Sequence, residues 1–310
     1  MSTAAVLDIG SNSIKILVAR RDERGRLQPV FQDTLDVRIS AGINAARPVL
    51  DEEAMQRGLA AVQQLLTAAA SHSPERATLV ATSAVRDAVN GADFAARITK
   101  ATGFELRILT GEEEANAIGR GLTCDPALAD LQDFHVFDLG GGSLECLTFH
   151  GRQISQAVSL PLGCVRLTEK FVPDPGLPLS ATIREKLARH IQTALAEARF
   201  QLDLPFPIAI ATGGSVVTVR AIRAARQGVA LDATSPIVTL RQMRELLEQT
   251  GGLSLTDRRA IPGLPPARAD VFPTALATLV AVAEHAKVTA FRHSFYNLRY
   301  GLAAELLSAG

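Results

Sequence analysis

The segment that most constrains this chain is a glycine turn between two apolar runs at residues 136–149. The first run ends at Asp138, three consecutive glycines follow at 140–142, and Glu145 opens the second run. Consecutive glycines adopt positive φ without a Cβ penalty and can present several backbone N–H groups to one anion. We therefore predict a β-hairpin whose tip holds phosphate oxygens and whose two carboxylates hold a divalent cation or a water. A plain tight hairpin with solvated acids is the alternative from this segment alone.

The same plan occurs near the N-terminus, and part of it occurs a third time. Asp8-Ile9-Gly10-Ser11-Asn12-Ser13 lies between two apolar runs, and Ala211-Thr212-Gly213-Gly214-Ser215 closes another apolar run before a helical stretch. The N–H groups of a helix start favour an anion. Three such turns, two of them with an Asp at equivalent places, resemble the superfamily of actin, the heat-shock chaperone ATPases and the sugar kinases. This resemblance implies an α/β fold with two actin-like (ribonuclease H-like) domains, each a mixed sheet flanked by helices, facing each other across an interdomain cleft.

Strands alternate with helices after an initial meander, which implies a partly parallel sheet whose ligands gather at the carboxyl ends of strands. Residues 125–133 are the best candidate for a domain boundary, so we predict domains at 1–124 and 125–310. In the first domain we predict strands at 6–9, 14–19, 31–39, 78–81 and 105–109 and helices at 51–70, 92–101 and 111–122. In the second we predict helices from 163 to 171, from 180 to 200, at 242–248, and at 268–286 with a kink at Pro273.

Composition excludes several classes of function. Lys plus Arg and Asp plus Glu both number 32, so the formal net charge is zero and no global positive field favours nucleic acid. Aromatic residues make up only 5% of the chain, which argues against stacking platforms for single-stranded bases. No run reaches the ~18 apolar residues of a membrane span, and no signal peptide is visible. Three cysteines without metal-ligand spacing are typical of a reduced, cytoplasmic protein.

Two further segments carry chemistry. Arg86 follows a predicted strand end, where a guanidinium can grip phosphate bidentately, although a surface ion pair with Asp87 or Glu113 is the simpler interpretation. Glu112, Glu113 and Glu114 open a predicted helix, where acids are ordinary first-turn residues. At ~100° per residue the three point in different directions, so only one can face a substrate and act as a general base on water.

These motifs occur in an order that resembles the exopolyphosphatase and guanosine pentaphosphate phosphatase (Ppx/GppA) family. The resemblance covers nearly the whole chain, and it is the ordered set rather than any one motif that is specific. The matching segments are Asp8-Ile9-Gly10-Ser11-Asn12-Ser13, Ala81-Thr82-Ser83-Ala84 with Arg86, Ala88 and Asn90, Gly111-Glu112-Glu113-Glu114-Ala115, Asp138-Leu139-Gly140-Gly141-Gly142-Ser143 with Glu145, Gly163-Cys164-Val165-Arg166-Leu167-Thr168-Glu169, Ala211-Thr212-Gly213-Gly214-Ser215 and Arg268-Ala269-Asp270.

The resemblance implies hydrolysis of the terminal phosphoanhydride of inorganic polyphosphate, or of guanosine pentaphosphate, with Mg²⁺ (or Mn²⁺) as cofactor and a homodimer as the assembly. It assigns Glu114 as the catalytic base, Glu145 to the nucleophilic water and to the metal, and Arg86 as a phosphate clamp. Asp8 and Asp138 would be metal ligands. The substrate-binding residues would be Ser11, Asn12, Ser13, Lys15, Gly141, Gly142, Ser143, Arg166, Gly213, Gly214, Ser215 and Arg268. Metal dependence is also an internal requirement of this hypothesis, because grouped acids would repel a polyanion unless a metal and an arginine intervened.

The chain departs from the family pattern in three places. It stops at Gly310, where longer relatives add a helical phosphohydrolase-like region, so we expect a short two-domain form that favours short polyphosphate chains. Leu144 replaces the usual Thr of the glycine hairpin, and Tyr300 stands where relatives have an acid. Other functions remain open at this stage: a guanosine pentaphosphate phosphatase, a sugar-kinase-like or chaperone-like ATPase, and a non-catalytic polyphosphate or nucleotide sensor.

Overall fold

The computed structural model describes residues 2–202 and 206–308. The chain divides into two compact units: unit 1 comprises Met1–Asp130 and Tyr296–Gly310, and unit 2 comprises Leu131–Phe295. The chain first passes from unit 1 to unit 2 between Asp130 and Leu131, close to the predicted boundary at 124/125. The prediction that the second domain runs to the end of the chain is not what the structure shows, because the chain returns to unit 1 from Tyr296 onward.

Unit 1 contains a five-stranded sheet with the order β3-β2-β1-β4-β5. Strand β1 pairs with β2 antiparallel and with β4 parallel, so the sheet is mixed as predicted. Strand β3 ends at Leu35, four residues before the predicted end, and the following loop carries Arg38. The elements are β1 (Thr3–Ile9), β2 (Ile14–Arg21), β3 (Leu27–Leu35), α1 (Glu52–Ala70), β4 (Arg76–Ala81), α2 (Ser83–Arg86), α3 (Gly91–Thr102), β5 (Leu106–Ile108) and α4 (Gly111–Thr123).

Unit 2 contains a six-stranded sheet with the order β10-β11-β9-β6-β7-β8. Here β6 pairs with β7 antiparallel and with β9 parallel. The elements are β6 (Phe134–Leu139), β7 (Leu144–His150), β8 (Gln153–Leu160), α5 (Cys164–Phe171), α6 (Ala181–Glu197), β9 (Ile208–Thr212), α7 (Gly214–Gln227), β10 (Ile237–Thr239), α8 (Leu240–Gly251), α9 (Leu255–Arg259), α10 (Phe272–His285) and β11 (Ala290–His293).

The two sheets repeat one topology. From its meander edge the first is β3-β2-β1-β4-β5, and the second is β8-β7-β6-β9-β11 with β10 added at the far edge. The strands that carry Asp8 and Asp138 therefore occupy the same central place, each between an antiparallel and a parallel neighbour. This repetition confirms the predicted α/β fold of two actin-like domains.

The helices begin where their sequences provide caps. Asp51 accepts a hydrogen bond from the backbone N–H of Ala54 over 2.6 Å, which fixes the start of α1 at the predicted place. Helix α10 begins at Phe272 rather than at 268, so the longer predicted helix was wrong at its start. Pro273 thus lies in the first turn, where its missing N–H has no helical acceptor, and no kink is required there. Arg268 instead ends a short 3₁₀ turn, Pro266–Arg268.

The last helix, α11 (Leu298–Leu306), packs against α4 at a distance that only glycines permit. A Cβ added at Gly301 would lie 1.9 Å from the carbonyl oxygen of Ala117, and one added at Gly121 would lie 2.1 Å from that of Asn297. The two helices therefore touch backbone to backbone. This contact is the reason why the C-terminal segment belongs to unit 1.

A buried arginine and histidine organise one part of unit 2. Arg220 donates through Nη1 to His293 Nδ1 over 2.8 Å, and through its other nitrogens to Leu231 and Thr234. Burial and the Arg220 charge lower the pKa of His293 to about 3. His293 is therefore neutral, and its Nδ1 accepts the hydrogen bond from Arg220. No helix among the described residues is long and apolar enough to cross a membrane.

Candidate active site

The turns after β1 and β6 have the same geometry. In the first, Gly10 N–H donates to the Ser13 carbonyl over 3.1 Å, and in the second Gly140 N–H donates to the Ser143 carbonyl over 3.0 Å. We call the turns at 10–13 and 140–143 the first and second phosphate turns. In the part of the chain that the structure describes, the N–H groups of residues 11–13 and 141–143 have no hydrogen-bond acceptor. Three successive N–H groups of this kind form an anion-binding concavity.

The third predicted turn leads into α7. Gly213 has a φ of 94°, and the first N–H groups of the helix begin at Gly214. The Arg268 guanidinium lies directly against Gly214, because a Cβ added there would be 2.0 Å from Arg268 Nη1. Ser215 is buried in the first turn. The N-terminus of this 14-residue helix and the adjacent guanidinium together favour the binding of an anion.

Asp8 lies at the end of β1, beside the first phosphate turn. Its Oδ1 is buried and has no hydrogen-bond partner among the described residues, although the residue as a whole is partly exposed. Burial raises the pKa of Asp8, while the charges of Lys15, its cross-strand partner, and of Arg299 oppose that shift. A buried carboxylate oxygen without a donor is suited to a cation.

Asp138 and Glu145 are direct cross-strand partners at the base of the second phosphate turn. Glu145 is only 2% exposed and its Oε1 accepts a hydrogen bond from Ser159 Oγ over 2.7 Å. Asp138 Oδ1 lies against the backbone of Gly213, where an added Cβ would approach it to 2.4 Å. Unit 2 therefore brings both predicted carboxylates together with two of the glycine turns.

Glu114 is buried and paired with Arg86. Arg86 Nη1 donates to Glu114 Oε2 over 2.8 Å and to the carbonyl of Leu109 over 3.0 Å. Arg86 Nε also lies 3.5 Å from Asp87 Oδ1. The ion pair stands next to the first phosphate turn, because Ser83, which opens the short helix that ends at Arg86, shares a hydroxyl hydrogen bond of 3.1 Å with Ser11.

The two neighbouring acids have other roles, as the helical geometry predicts. Glu113 caps α4 by accepting from the Thr110 N–H, and it pairs with Arg107 over 2.6 Å. The Arg107 pair and the cap together lower the pKa of Glu113 to about 2. Glu112 is exposed. Of the three glutamates, only Glu114 is buried against a functional partner.

Arg166 supports the second phosphate turn from beneath. Its Nε donates to the Gly142 carbonyl over 2.9 Å, and the N–H groups of Cys164 and Val165 donate to the carbonyls of Gly140 and Gly141. The start of α5 therefore holds the carbonyl side of this turn. The role of Arg166 in binding substrate stays a prediction.

Four residues near these groups were assigned no role from the sequence: Ser83, which lies in a matching motif, and Ser159, Arg38 and Arg299. Arg299 is 8% exposed, donates to the Ile16 carbonyl over 3.3 Å, and contributes its charge at Asp8. Its neighbour Tyr300 is buried, and its hydroxyl accepts from Gln32 Nε2 over 2.9 Å. The strand register opposite Glu145 could have indicated Ser159, whereas Arg299 and Arg38 carry no local signal.

The donor set fits a magnesium ion of the kind that is shared with substrate. No group of three His, Cys, Asp or Glu residues among those described could hold a metal by itself. Mg²⁺ commonly uses one or two carboxylates and completes its octahedron with water and phosphate oxygens. Asp8 in unit 1, with its unpartnered oxygen, and Asp138 in unit 2, beside the second and third turns, each have the chemistry of such a ligand, and their binding of a metal stays a prediction.

Comparison with known proteins gives consistent results. The sequence profile of the Ppx/GppA phosphatase family matches residues 17–309. A crystal structure of an exopolyphosphatase from Cytophaga hutchinsonii aligns with 99% of this chain and 98% of its own, with a TM-score of 0.89 and 22% identity. An Aquifex aeolicus member of the Ppx/GppA protein family aligns with 100% of this chain and 99% of its own (TM-score 0.79, 21% identity). The crystal structure of an exopolyphosphatase-like protein aligns with 98% of this chain and 97% of its own (TM-score 0.88, 24% identity). These structures share the fold over both units.

Proposed function

Since the chain belongs to the Ppx/GppA phosphatase family, a family of hydrolases that act on phosphoanhydride bonds, we propose that it releases orthophosphate from the end of inorganic polyphosphate, with short chains as preferred substrates. The observation that carries the proposal is the buried Glu114–Arg86 pair beside a turn with three N–H groups available to an anion. Guanosine pentaphosphate, which offers the same terminal phosphoanhydride, is the alternative substrate.

Glu114 is the group we assign to proton transfer. A buried carboxylate in a fixed orientation is suited to accept a proton from a neighbouring water. Arg86 fixes the orientation of that carboxylate, and its charge lies where negative charge builds up on a transferred phosphoryl group. Glu145, held by Ser159, is the residue we assign to positioning the attacking water.

The phosphate turns supply orientation. Hydrolysis of an anhydride has little covalent chemistry for the protein to perform, so most of the catalysis comes from positioning and charge stabilisation. The N–H groups of Ser11, Asn12 and Ser13 and of Gly141, Gly142 and Ser143 would hold phosphate oxygens. Gly213, Gly214, Ser215, Lys15 and Arg268 would extend this contact along the polyanion. Asp8, Asp138 and Glu145 would hold Mg²⁺, or Mn²⁺, which neutralises phosphate charge when it is bound.

The deciding experiment measures phosphate release by the purified protein with and without Mg²⁺. Substrates are short polyphosphate, long polyphosphate, guanosine pentaphosphate and ATP. Glu114→Gln should reduce the rate about 10³-fold or more with little change in KM, since the amide keeps the shape and loses the base. The matched control is Glu112→Gln, an exposed glutamate of the same helix turn, which should retain wild-type activity.

The outcomes separate the candidate functions. Release from polyphosphate that needs both Mg²⁺ and Glu114 supports the proposal, and faster release from guanosine pentaphosphate would favour the nucleotide substrate. A higher melting temperature with ADP, without phosphate release, would favour an acceptor-dependent kinase or ATPase. Polyphosphate binding without turnover would favour a sensor. A homodimer and a cytoplasmic location stay predictions; sedimentation of the purified protein tests the first.

A further inference from the structure

Arg38 contacts the first phosphate turn, although its sequence context does not single it out. Its backbone N–H donates to the Asn12 carbonyl over 3.0 Å, and its Nε donates to Asn12 Oδ1 over 3.1 Å. Asn12 Nδ2 in turn donates to Asp36 Oδ1 over 3.3 Å. Arg38 has a φ of 40°, a conformation that is costly for a residue with a Cβ and persists where the surrounding contacts enforce it.

Arg166 also contacts the phosphate turn of unit 2, through different atoms. Its N–H donates to the Gly141 carbonyl over 3.2 Å and its Nε to the Gly142 carbonyl over 2.9 Å. Gly142 is the third residue after β6, as Asn12 is the third after β1, and each arginine follows the third strand of its own sheet. Each unit therefore brings an arginine to the carbonyl of the third turn residue, through its backbone N–H in unit 1 and through its side chain in unit 2.

The contacts have a direct effect on the N–H groups that face an anion. In a trans peptide the C=O and the following N–H point in opposite directions. The hydrogen bond from the backbone N–H of Arg38 to the Asn12 carbonyl therefore turns the Ser13 N–H to the other side of the turn, and the bond from Arg38 Nε to Asn12 Oδ1 holds Arg38 where that backbone N–H can donate. The bond from Arg166 to the Gly142 carbonyl does the same for the Ser143 N–H.

We propose that Arg38 is a positioning residue: its guanidinium, bonded to Asn12 Oδ1, holds its own backbone N–H on the Asn12 carbonyl, so that the Asn12–Ser13 peptide presents its N–H to a phosphate group of the substrate. This inference rests on the proposed function, because it assumes that the first phosphate turn binds phosphate. It adds a residue outside the recognised motifs to the machinery of unit 1. The side chain acts through Asn12.

The test measures the Kd for the imido analogue of tripolyphosphate, whose P–N–P bridges resist hydrolysis, by calorimetry with Mg²⁺. Arg38→Lys keeps the charge but loses the planar donor that reaches Asn12 Oδ1. We expect a rise of about tenfold in Kd, as is typical for the loss of a charge-assisted contact. Asn12→Ala should give a similar rise. The Kd of the double variant should not exceed the higher of the two single-variant values, because both substitutions remove the same contact.

Arg152→Met is the matched control. Arg152 also has a positive φ, 61°, and also donates to a backbone carbonyl, that of Leu131 over 3.0 Å, but it lies at the opposite end of β7 from the turn. Its Kd should equal that of the wild type. If Arg152→Met weakens binding as much as Arg38→Lys, the effect is general destabilisation and the proposal is overturned.

A Kd of Arg38→Lys equal to that of the wild type would also overturn the proposal. So would a double variant whose Kd rises by the product of the two single-variant factors. If Arg38→Lys does not fold, Asn12→Ala removes the same contact from the other side, and an unchanged Kd there decides against it. The proposed function is judged separately, by release from unmodified tripolyphosphate. Binding of the analogue without such release would reject the hydrolase and leave the role of Arg38 standing.

Discussion

Gly213 is the position where a single methyl group should report on the candidate site most directly. It has φ 94° and ψ 166°, a region of backbone conformation that is almost confined to glycine. A Cβ would also lie 2.4 Å from Asp138 Oδ1 and 2.9 Å from the Leu139 carbonyl oxygen. Gly213→Ala therefore has to change the backbone, the carboxylate, or both.

The matched control lies at the other end of the same helix. Gly228 caps α7 with a φ of 65°, and a Cβ there would have no heavy atom within 4 Å. Gly228→Ala carries backbone strain alone, about 1 kcal/mol. Gly213→Ala carries strain of about 1–3 kcal/mol together with the contact to Asp138 and Leu139. We expect about 3 kcal/mol or more in total, so the two variants should differ by about 2 kcal/mol.

The assay is urea unfolding of the two variants and the wild type, followed by phosphate release from short polyphosphate. Because both glycines flank α7, the same unfolding transition reports both changes. We expect kcat/KM to fall at least about tenfold in Gly213→Ala and to stay within about twofold in Gly228→Ala. Equal losses of unfolding free energy would refute the steric argument, and full activity in Gly213→Ala would refute the place of the third turn in the site.

Three further predictions use other parts of the structure. Gly214→Ala should leave stability within about 0.5 kcal/mol but raise the KM for polyphosphate as much as Arg268→Ala does, because the new Cβ displaces only the end of a flexible side chain; an unchanged KM would remove Arg268 from the site. Mg²⁺ should raise the melting temperature of the wild type and do so less in Asp8→Asn, since a ligand stabilises the state that binds it; equal shifts would place the ion elsewhere. The folded pKa of His293, about 3, lies below the ordinary value of 6.5, so its contribution is present above pH 6.5 and is lost as the pH falls toward 3. Unfolding free energy should drop by roughly 2 kcal/mol between pH 6.5 and 5, and an equally steep drop in His293→Gln would contradict this assignment.

The parts of the fold that were predicted correctly depend on local sequence. A glycine turn between two apolar runs specifies a hairpin by itself, and the capping pair of Thr110 and Glu113 specifies the start of α4. The repetition of one turn beside Asp8 and Asp138 was sufficient to predict two related domains. Each of these signals lies within a few consecutive residues, where backbone preference and side-chain capping decide the outcome.

The parts that could not be predicted depend on contacts between distant residues. The partner of Glu114 is Arg86, 28 residues away, and which acid of the triplet would meet it follows from the packing of α4. The return of the last helix to unit 1 follows from the close approach of Gly301 and Ala117, which no periodicity reveals. Arg38 follows the end of β3, where the loop turns it back to Asn12. These contacts have no local signature.

The packing of α11 against α4 has a consequence for the nascent protein. Unit 2 is continuous in sequence from Leu131 to Phe295, whereas unit 1 needs residues synthesised after it. Domains fold as units while the ribosome extends the chain. Unit 2 can therefore reach its native state first, and the helix that carries Glu114 is fixed only when the last residues of unit 1 emerge. The growing chain would be inert until α11 has emerged, and the synthesis of that helix would time the onset of hydrolysis.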